Sequence, residues 1–543
     1  MAKILQNQEL TPEVMERLTK DQVDWVYNGL DVAVTDEVYD KQLESADEVA
    51  LNTYKFSMTL AAPVFEMTLR GVMVDEDARL VALKKFEEHH EIIEHNLRRV
   101  INEGVGITGT FNYRSLPQLK MLFYKVLGLK PVLKRNAEGI YVPSVDREAL
   151  EKLQRYLLAE FFVLHVLVLR ELDKKIQVLK TDLDDDGKMR TSYNIAGTNT
   201  GRLSSSTSDY DTGGNQQNIE RALRAIFVPD PGMKFCNIDL EQADARNVGA
   251  ICWELFVDKL GEKVAGSYLD ACESGDLHTF VCRMAYTHLP WPQDRKEWRA
   301  IADQNWYRTF SYRDGSKKLG HGTNYYGTPA TMAAHTKVDE EIIAGFQERY
   351  FEGFPVIGAV KRNDRNRLIK DLHAPCWHNW VREQIDQFGF ITTPHFNRRR
   401  YFFGRPDDDR TVREAIAYAP QSMTADEIDT GIINLWRWGR VHPLIQVHDS
   451  ILFQFPEELE DEIVPEAIKR LTIKWDLKKG REFFVPVEAK VGYNWADVEF
   501  KKDGTVKANP NGLIKYKPGT DLRKRPNYRS AARPRTLLEA LNA

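Results

Sequence analysis

Two carboxylates, Asp239 and Asp449, stand where chemistry is easiest to place. Phe235 to Leu240 is a short apolar run ending near Asp239, and from Ala243 the spacing turns helical through Val248, Ile251 and Leu255. Around the second acid, two apolar runs flank His448-Asp449, which predicts a tight β-hairpin with the acid at its tip. Brought together, the pair could hold divalent cations such as Mg²⁺ about 3.5–4 Å apart, the spacing of two-metal phosphoryl transfer. Singly, each Asp is more often a turn or capping residue, so the pair draws its weight from what lies between.

Between them runs Arg313-Asp-Gly-Ser-Lys317-Lys-Leu-Gly-His321-Gly-Thr-Asn-Tyr325-Tyr-Gly327. Arg313, Lys317, His321 and Tyr325 recur every four residues, so on a helix they form one stripe drifting by ~40° per step. Two cations followed by two flat rings suit a nucleoside triphosphate, with charge at the phosphates and rings at the sugar and base. Gly315, Gly320 and Gly322 each cost about 1 kcal/mol inside a helix, so the competing reading is a flexible loop with scattered charge. No G-x-x-x-x-G-K-[ST] phosphate loop occurs in the chain.

Holding such groups together takes several structural units. The 543 residues are 42% hydrophobic and 29% charged, a globular composition that predicts roughly three to four units of ~100–200 residues. Residues 11–50 read as two short polar helices. Helical spacing continues from 51 to 105, with a break at Gly71 and a return at Val74. Leu150 to Lys180 reads as one long helix projecting as a rod, whose apolar stretch Leu157–Leu169 falls short of the ~20 residues that span a bilayer. Residues 181–235 read as turns and short strands, 236–255 as strand then helix, 256–390 as mostly helical, and 391–403 and 442–456 as strand pairs.

The order Asp239 to Arg246, then Arg313-x3-Lys317-x3-His321-Gly-x2-Tyr325, then His448-Asp449 resembles motifs A, B and C of the family A DNA polymerases. Flanking segments agree: Thr198-Asn-Thr-Gly201-Arg202-Leu-Ser-Ser205, Gln217-Asn-Ile219 with Arg224 and Phe227, Asp276-Leu-His278-Thr279, Ala419-Pro-Gln421 through Asp426, and Gly492-Tyr-Asn-Trp495. The resemblance spans about 51–496. It implies an α+β right-hand fold, mostly helical, with an antiparallel palm sheet and helical fingers and thumb. Residues 51–200 would form the palm base and thumb, 201–255 the palm with motif A, 256–400 the fingers with motif B, and 401–498 the palm with motif C. The implied activity is DNA-templated DNA polymerisation on primer–template DNA with dNTPs, in viral or phage genome replication.

The resemblance also implies roles. Asp239 and Asp449 would hold two Mg²⁺ ions, with Mn²⁺ as a substitute, and the Leu240 carbonyl would be a third ligand to one of them. Arg313, Lys317 and His278 would contact the triphosphate, with His321, Tyr325 and Asp244 completing the nucleotide site. Arg202, Arg224, Gln421 and His448 would bind the DNA. Three positions depart from the family pattern: His321 replaces Phe or Tyr, Asp244 replaces the Glu that excludes a ribose 2′-hydroxyl, and Ser450 replaces a frequent Glu. None removes a metal ligand; the first two bear on sugar discrimination. A single-subunit RNA polymerase shares the two Asp but has a small residue where Asp244 stands. A non-catalytic DNA-binding accessory subunit is expected to have lost Asp239 or Asp449.

The ends of the chain carry separate signals. Tyr27-x3-Asp31 resembles the third motif of the family's 3′→5′ exonuclease, and residues 1–30 contain no Asp-x-Glu, so 1–50 reads as a remnant of that region. A separate exonuclease or other replication protein is then the expected partner. Residues 501–543 hold eleven Lys and Arg against three acids, leaving 64 basic and 77 acidic residues in the rest. The segment 499–543 therefore reads as a basic tail without a core, binding nucleic acid or an acidic partner. His373, Cys376 and His378 invite a zinc site but are one ligand short of the usual four. Five cysteines without a C-x-x-C pair, no export signal and no membrane span predict a cytoplasmic location, the host's if the chain is viral.

Overall fold

The computed structural model describes residues 11–519 apart from 108, 137, 209–211, 308, 309 and 502. The chain divides into two compact units, one formed by residues 62–243, 424–475 and 482 onward, the other by those before 62, 244–423 and 476–481.

The first unit is built on a five-stranded antiparallel sheet of β1 (Met233–Leu240), β2 (His442–Val447), β3 (Ser450–Pro456), β4 (Val487–Gly492) and β5 (Ile514–Lys515), in the order β2-β3-β1-β4-β5. Strand β1 is central because Phe235, Cys236 and Ile238 can all be buried there, leaving Asp239 at the strand's open end. The β2–β3 hairpin turns through His448-Asp449, with His448 at φ +56°, the left-handed conformation that two-residue hairpin turns demand. Phe235, Leu444, Leu452 and Trp495 pack with Val72, Val74 and Phe227 beneath the sheet.

A second core lies along the helices Glu76–Arg99 and Leu157–Leu179, where Leu97, Phe123, Val163, Val166 and Leu169 are buried. The expected single rod from Leu150 is broken. Helix Arg147–Leu153 ends before Tyr156, which takes an extended conformation and starts the next helix. That second helix packs its apolar face into this core. Gly71, at φ +61°, makes the predicted break between the helix Glu48–Arg70 and the strand Val72–Val74.

The basic tail needs correction. Residues 499–519 are not a coreless appendage: β5 pairs with β4, Leu513 and Tyr516 are buried, and the Tyr516 hydroxyl lies 3.1 Å from Asp461 Oδ1. Glycine, asparagine and proline around a two-residue strand give the segment a loop-like composition, but its two large apolar side chains close the sheet edge. Residues 520–543 lie outside the described residues.

The second unit is mainly helical. Its Tyr312–Asn324 helix carries the four-residue stripe and is called the stripe helix below. The flexible-loop alternative fails because the glycines serve close packing. A Cβ on Gly315 would collide with the Trp306 ring, and one on Gly322 would lie 2.8 Å from Met332. Ser311 caps the helix by accepting from the Asp314 N–H at 3.0 Å. The expected pair of short N-terminal helices is instead one brief turn, Pro12–Met15, and a 26-residue helix, Lys20–Ser45. Thr19 and Gln22 form a capping box at its start, and the single Gly29 is too small a penalty to break it. Tyr27 and Asp31 lie one turn apart on this helix, both exposed.

Candidate active site

Asp239 lies in register with Ser450 on one side and Glu488 on the other. The Leu240 N–H donates to the Asp449 carbonyl at 3.0 Å, which fixes the hairpin tip against the end of β1. The Asp239 and Asp449 carboxyls face each other. Desolvation, then the Asp449 charge, pushes the Asp239 carboxyl above the usual carboxylate range, with Lys490 partly offsetting the rise. Two like charges held this close are relieved by a cation, and carboxylate oxygens are ligands that Mg²⁺ and Mn²⁺ favour, so the residues fit such ions. Among the described residues, no group of three or more His, Cys, Asp or Glu side chains converges on a metal position. Glu488 is drawn off by Lys515, whose Nζ lies 2.5 Å from Glu488 Oε2.

A hydrogen-bonded chain supports the turn from behind. Ser205 Oγ donates to Gln217 Oε1 at 2.9 Å, Gln217 Nε2 to Gln446 Oε1 at 2.8 Å, and Gln446 Nε2 to the His448 carbonyl at 2.6 Å. His448 itself is exposed. Arg221, Arg224, Asn237 and Lys490 share a cavity of about 150 Å³ with Asp239. Arg224 stacks 4.3 Å from the Trp495 ring and donates to the Ile219 carbonyl at 3.3 Å. Burial, then the neighbouring Arg221, lowers the pKa of its guanidinium. Arg202 is partly exposed, its carbonyl accepting from Thr198 Oγ1 at 2.7 Å.

In the other unit the stripe is real. Arg313 donates to both oxygens of Asp276, at 2.8 and 2.9 Å, while Asp276 also caps the helix Leu277–Ala285. Burial works to raise the Asp276 carboxyl, but Arg313 and Thr279 outweigh it and hold the group well below the usual carboxylate range. His278, on the first turn of that helix, is pushed down to about 4 by burial and then by Arg313 and Lys317, so the ring is neutral near pH 7. Lys317 and His321 line a cavity of about 560 Å³ with Phe310 and Asp314. Tyr325 falls one residue beyond the stripe helix, yet its N–H still bonds the His321 carbonyl at 3.2 Å and its ring meets His321 edge-on at 4.7 Å. The Tyr325 hydroxyl lies 3.1 Å from Asp244 Oδ2, so this acid is tethered to the stripe. Gln421, partly exposed on the helix Asp409–Trp438, also belongs to this unit.

The profile of DNA polymerase family A matches residues 83–283 and 296–497. The chain belongs to DNA polymerase family A. DNA polymerase I of Caldicellulosiruptor bescii is 25% identical over 450 residues, covering 80% of this chain and 46% of that protein. DNA polymerase I of Bacillus caldotenax is 28% identical over 465 residues, covering 81% and 45%. The chain thus spans about half the length of these family A relatives. A solved structure, the POL domain of Pol1 from M. smegmatis in complex with DNA primer-template and dNTP, aligns with a TM-score of 0.62 at 21% identity, over 80% of this chain and 69% of that one. The likeness shows the fold, the α+β right-hand polymerase fold expected of family A.

Two features of this family A site escape the motifs. Asp276 is the partner of Arg313 across 37 residues, and its only sequence signal is the Asp-x-His-Thr that begins with a helix cap. The Gln217–Gln446 bridge spans 229 residues. The cluster that was one ligand short of a zinc site holds a core histidine instead: His378 is buried, its Nε2 2.8 Å from the Asn324 carbonyl, and burial pushes it down to about 3. It is a core hydrogen-bonding residue joining two helices. Cys376 is buried, its thiol pushed up to about 11 by burial, and all five cysteines are free. Among the described residues, no helix is long and apolar enough to cross a membrane.

Proposed function

We propose that the chain is a DNA-templated DNA polymerase that extends a primer 3′-hydroxyl with dNTPs by two-metal phosphoryl transfer. The observation that carries this reading is the Asp239–Asp449 pair, which the pairing of β1 with β3 and the Leu240 N–H bond to the Asp449 carbonyl bring together at the open end of β1, where mutual repulsion leaves a demand for cations. Asp239, Asp449 and the Leu240 carbonyl would hold two Mg²⁺ or Mn²⁺ ions. When bound, such ions lower the pKa of the attacking hydroxyl and neutralise charge on the phosphoryl oxygens.

The rest falls to the protein's own groups. Arg313 and Lys317 place fixed positive charge against the triphosphate, and Asp276 keeps the Arg313 guanidinium oriented before the nucleotide arrives. His278, neutral near pH 7, offers a ring N–H to a phosphate oxygen rather than a third charge. His321 and Tyr325 present ring faces to the sugar and base, and Asp244, held by the Tyr325 hydroxyl, narrows the space for a 2′-hydroxyl. Arg202, Arg224, Gln421 and His448 face the primer–template, where minor-groove acceptors common to all base pairs permit a check of pair shape without reading sequence. Primer extension with Mg²⁺ and either four dNTPs or four rNTPs tests the reading. Template-directed extension with dNTPs is expected. Preferential use of rNTPs would make the chain an RNA polymerase, and absence of both would leave a DNA-binding subunit.

A further inference from the structure

The sequence Val360-Lys-Arg-Asn-Asp-Arg-Asn-Arg-Leu-Ile-Lys370 carries five cations against one acid and takes no part in the site described above. It forms a β-hairpin, Val360–Arg362 paired with Leu368–Lys370. Its root is fixed at two points. Arg362 makes a double hydrogen bond to Glu348, at 2.7 and 2.8 Å, and Lys370 Nζ donates to the Tyr326 carbonyl at 2.9 Å.

The turn is ordered by its own backbone. Asn363 Oδ1 accepts from the N–H groups of Arg365 and Arg367 at 3.1 and 2.9 Å, and Asn366 takes the left-handed φ of +56°. Arg365 and Arg367 are exposed there, and among the described residues neither guanidinium has a carboxylate partner. The fold thus fixes the backbone that carries two exposed guanidinium forks. Below, Lys370 and Arg382 line a cavity of about 400 Å³, and burial pushes the Lys370 amine down to about 6, a cost that an anion would relieve.

Guanidinium forks without an aromatic anchor suit phosphate better than an acidic protein surface. Protein interfaces centre on side chains seated in packed pockets, whereas Arg365 and Arg367 stand exposed and the hairpin has no aromatic residue. The root contact selects the kind of nucleic acid. The stripe runs from phosphate-binding cations to rings at the sugar and base, and ends at Tyr325. Lys370 grips the next residue, Tyr326. The base opposite an incoming nucleotide must lie beyond the ring end of the stripe, and uncopied template continues from there. We propose that the Val360–Lys370 hairpin grips the phosphate backbone of the single-stranded, uncopied template through Arg365 and Arg367. This rests on the polymerase reading.

The test compares binding of the full chain to two primer–templates, one with a long 5′ template overhang and one blunt, across a series of salt concentrations. Arg365→Ala/Arg367→Ala should bind the overhang substrate roughly tenfold more weakly, with a salt slope lower by about 1.4, since each single-strand phosphate contact contributes ~0.7. The blunt substrate should bind as to the unaltered chain. Arg365→Lys/Arg367→Lys should restore the salt slope but only part of the affinity, because the charge is kept and the two-pronged fork is lost. Equal losses on both substrates, or none on either, would overturn the template grip. Primer extension by the unaltered chain on the same overhang substrate separates the two claims. Extension without overhang preference sinks the hairpin alone, whereas overhang preference without extension sinks the polymerase reading and its template with it.

Discussion

Asp276 both starts a helix and holds Arg313, so removing its charge should be felt at the nucleotide. In Asp276→Asn the cap survives in part while the double ion pair is lost. The apparent KM for dNTP should rise roughly tenfold, as hydrogen bonds to charged groups contribute about 1.5–3 kcal/mol. An unchanged KM in steady-state kinetics would mean that Arg313 needs no orienting partner. His378 offers a pH test. Its folded value lies near 3, below the ordinary 6.5, so the unfolded chain takes up the proton first. Stability from this residue is therefore complete above pH 6.5 and is lost as pH falls toward 3, at ~1.4 kcal/mol per unit. Denaturant unfolding of His378→Asn should show a shallower loss on acidification than the unaltered chain. At this scale the sequence is a good guide to Asp239, Asp449 and the stripe, because strand ends and four-residue spacing constrain where side chains point. It is silent on Asp276 as the partner of Arg313, since nothing local to residue 276 reveals what packs 37 residues later.

Among the elements, the stripe helix is the one whose sequence argues against itself. Three glycines weaken its propensity, and the tertiary structure supplies the reason for two of them, Gly315 against the Trp306 ring and Gly322 against the Met332 side chain. Gly315→Ala should destabilise by ~1–3 kcal/mol despite better helix propensity, through the overlap with Trp306. A gain in stability on denaturant titration would show that the ring yields. The C-terminal segment is the opposite case. A two-residue strand beside Gly512 and Pro518 is invisible to periodicity, and a high cation count suggests a solvated tail. The burial of Leu513 and Tyr516 changes what truncation should do. Ending the chain at 519 removes six cations and should flatten the salt dependence of DNA binding without unfolding the sheet. Ending it at 498 also removes β5 and should cost several kcal/mol, at about 1.5–3 kcal/mol for each large apolar side chain lost. Equal thermal stability of the two truncations would contradict this division. The β2–β3 hairpin, by contrast, is fully legible, because a two-residue gap between apolar runs admits few turns.

Across the whole chain, the carboxylate pair belongs to one compact unit and the four-residue stripe to the other, so the proposed function assigns chemistry to one set of residues and substrate recruitment to another. Its central claim is that Asp239 and Asp449 act on the transition state, while DNA affinity comes from phosphate contacts elsewhere. The most direct measurement is single-turnover incorporation of one dNTP at saturating primer–template, with DNA affinity measured in parallel. Asp239→Ala and Asp449→Ala should each lower the incorporation rate by roughly a thousandfold or more, the scale of losing an electrostatic transition-state contact, and bind DNA nearly as the unaltered chain does. Substantial incorporation by either variant, or a loss of DNA affinity that accounts for the lost rate, would contradict the claim.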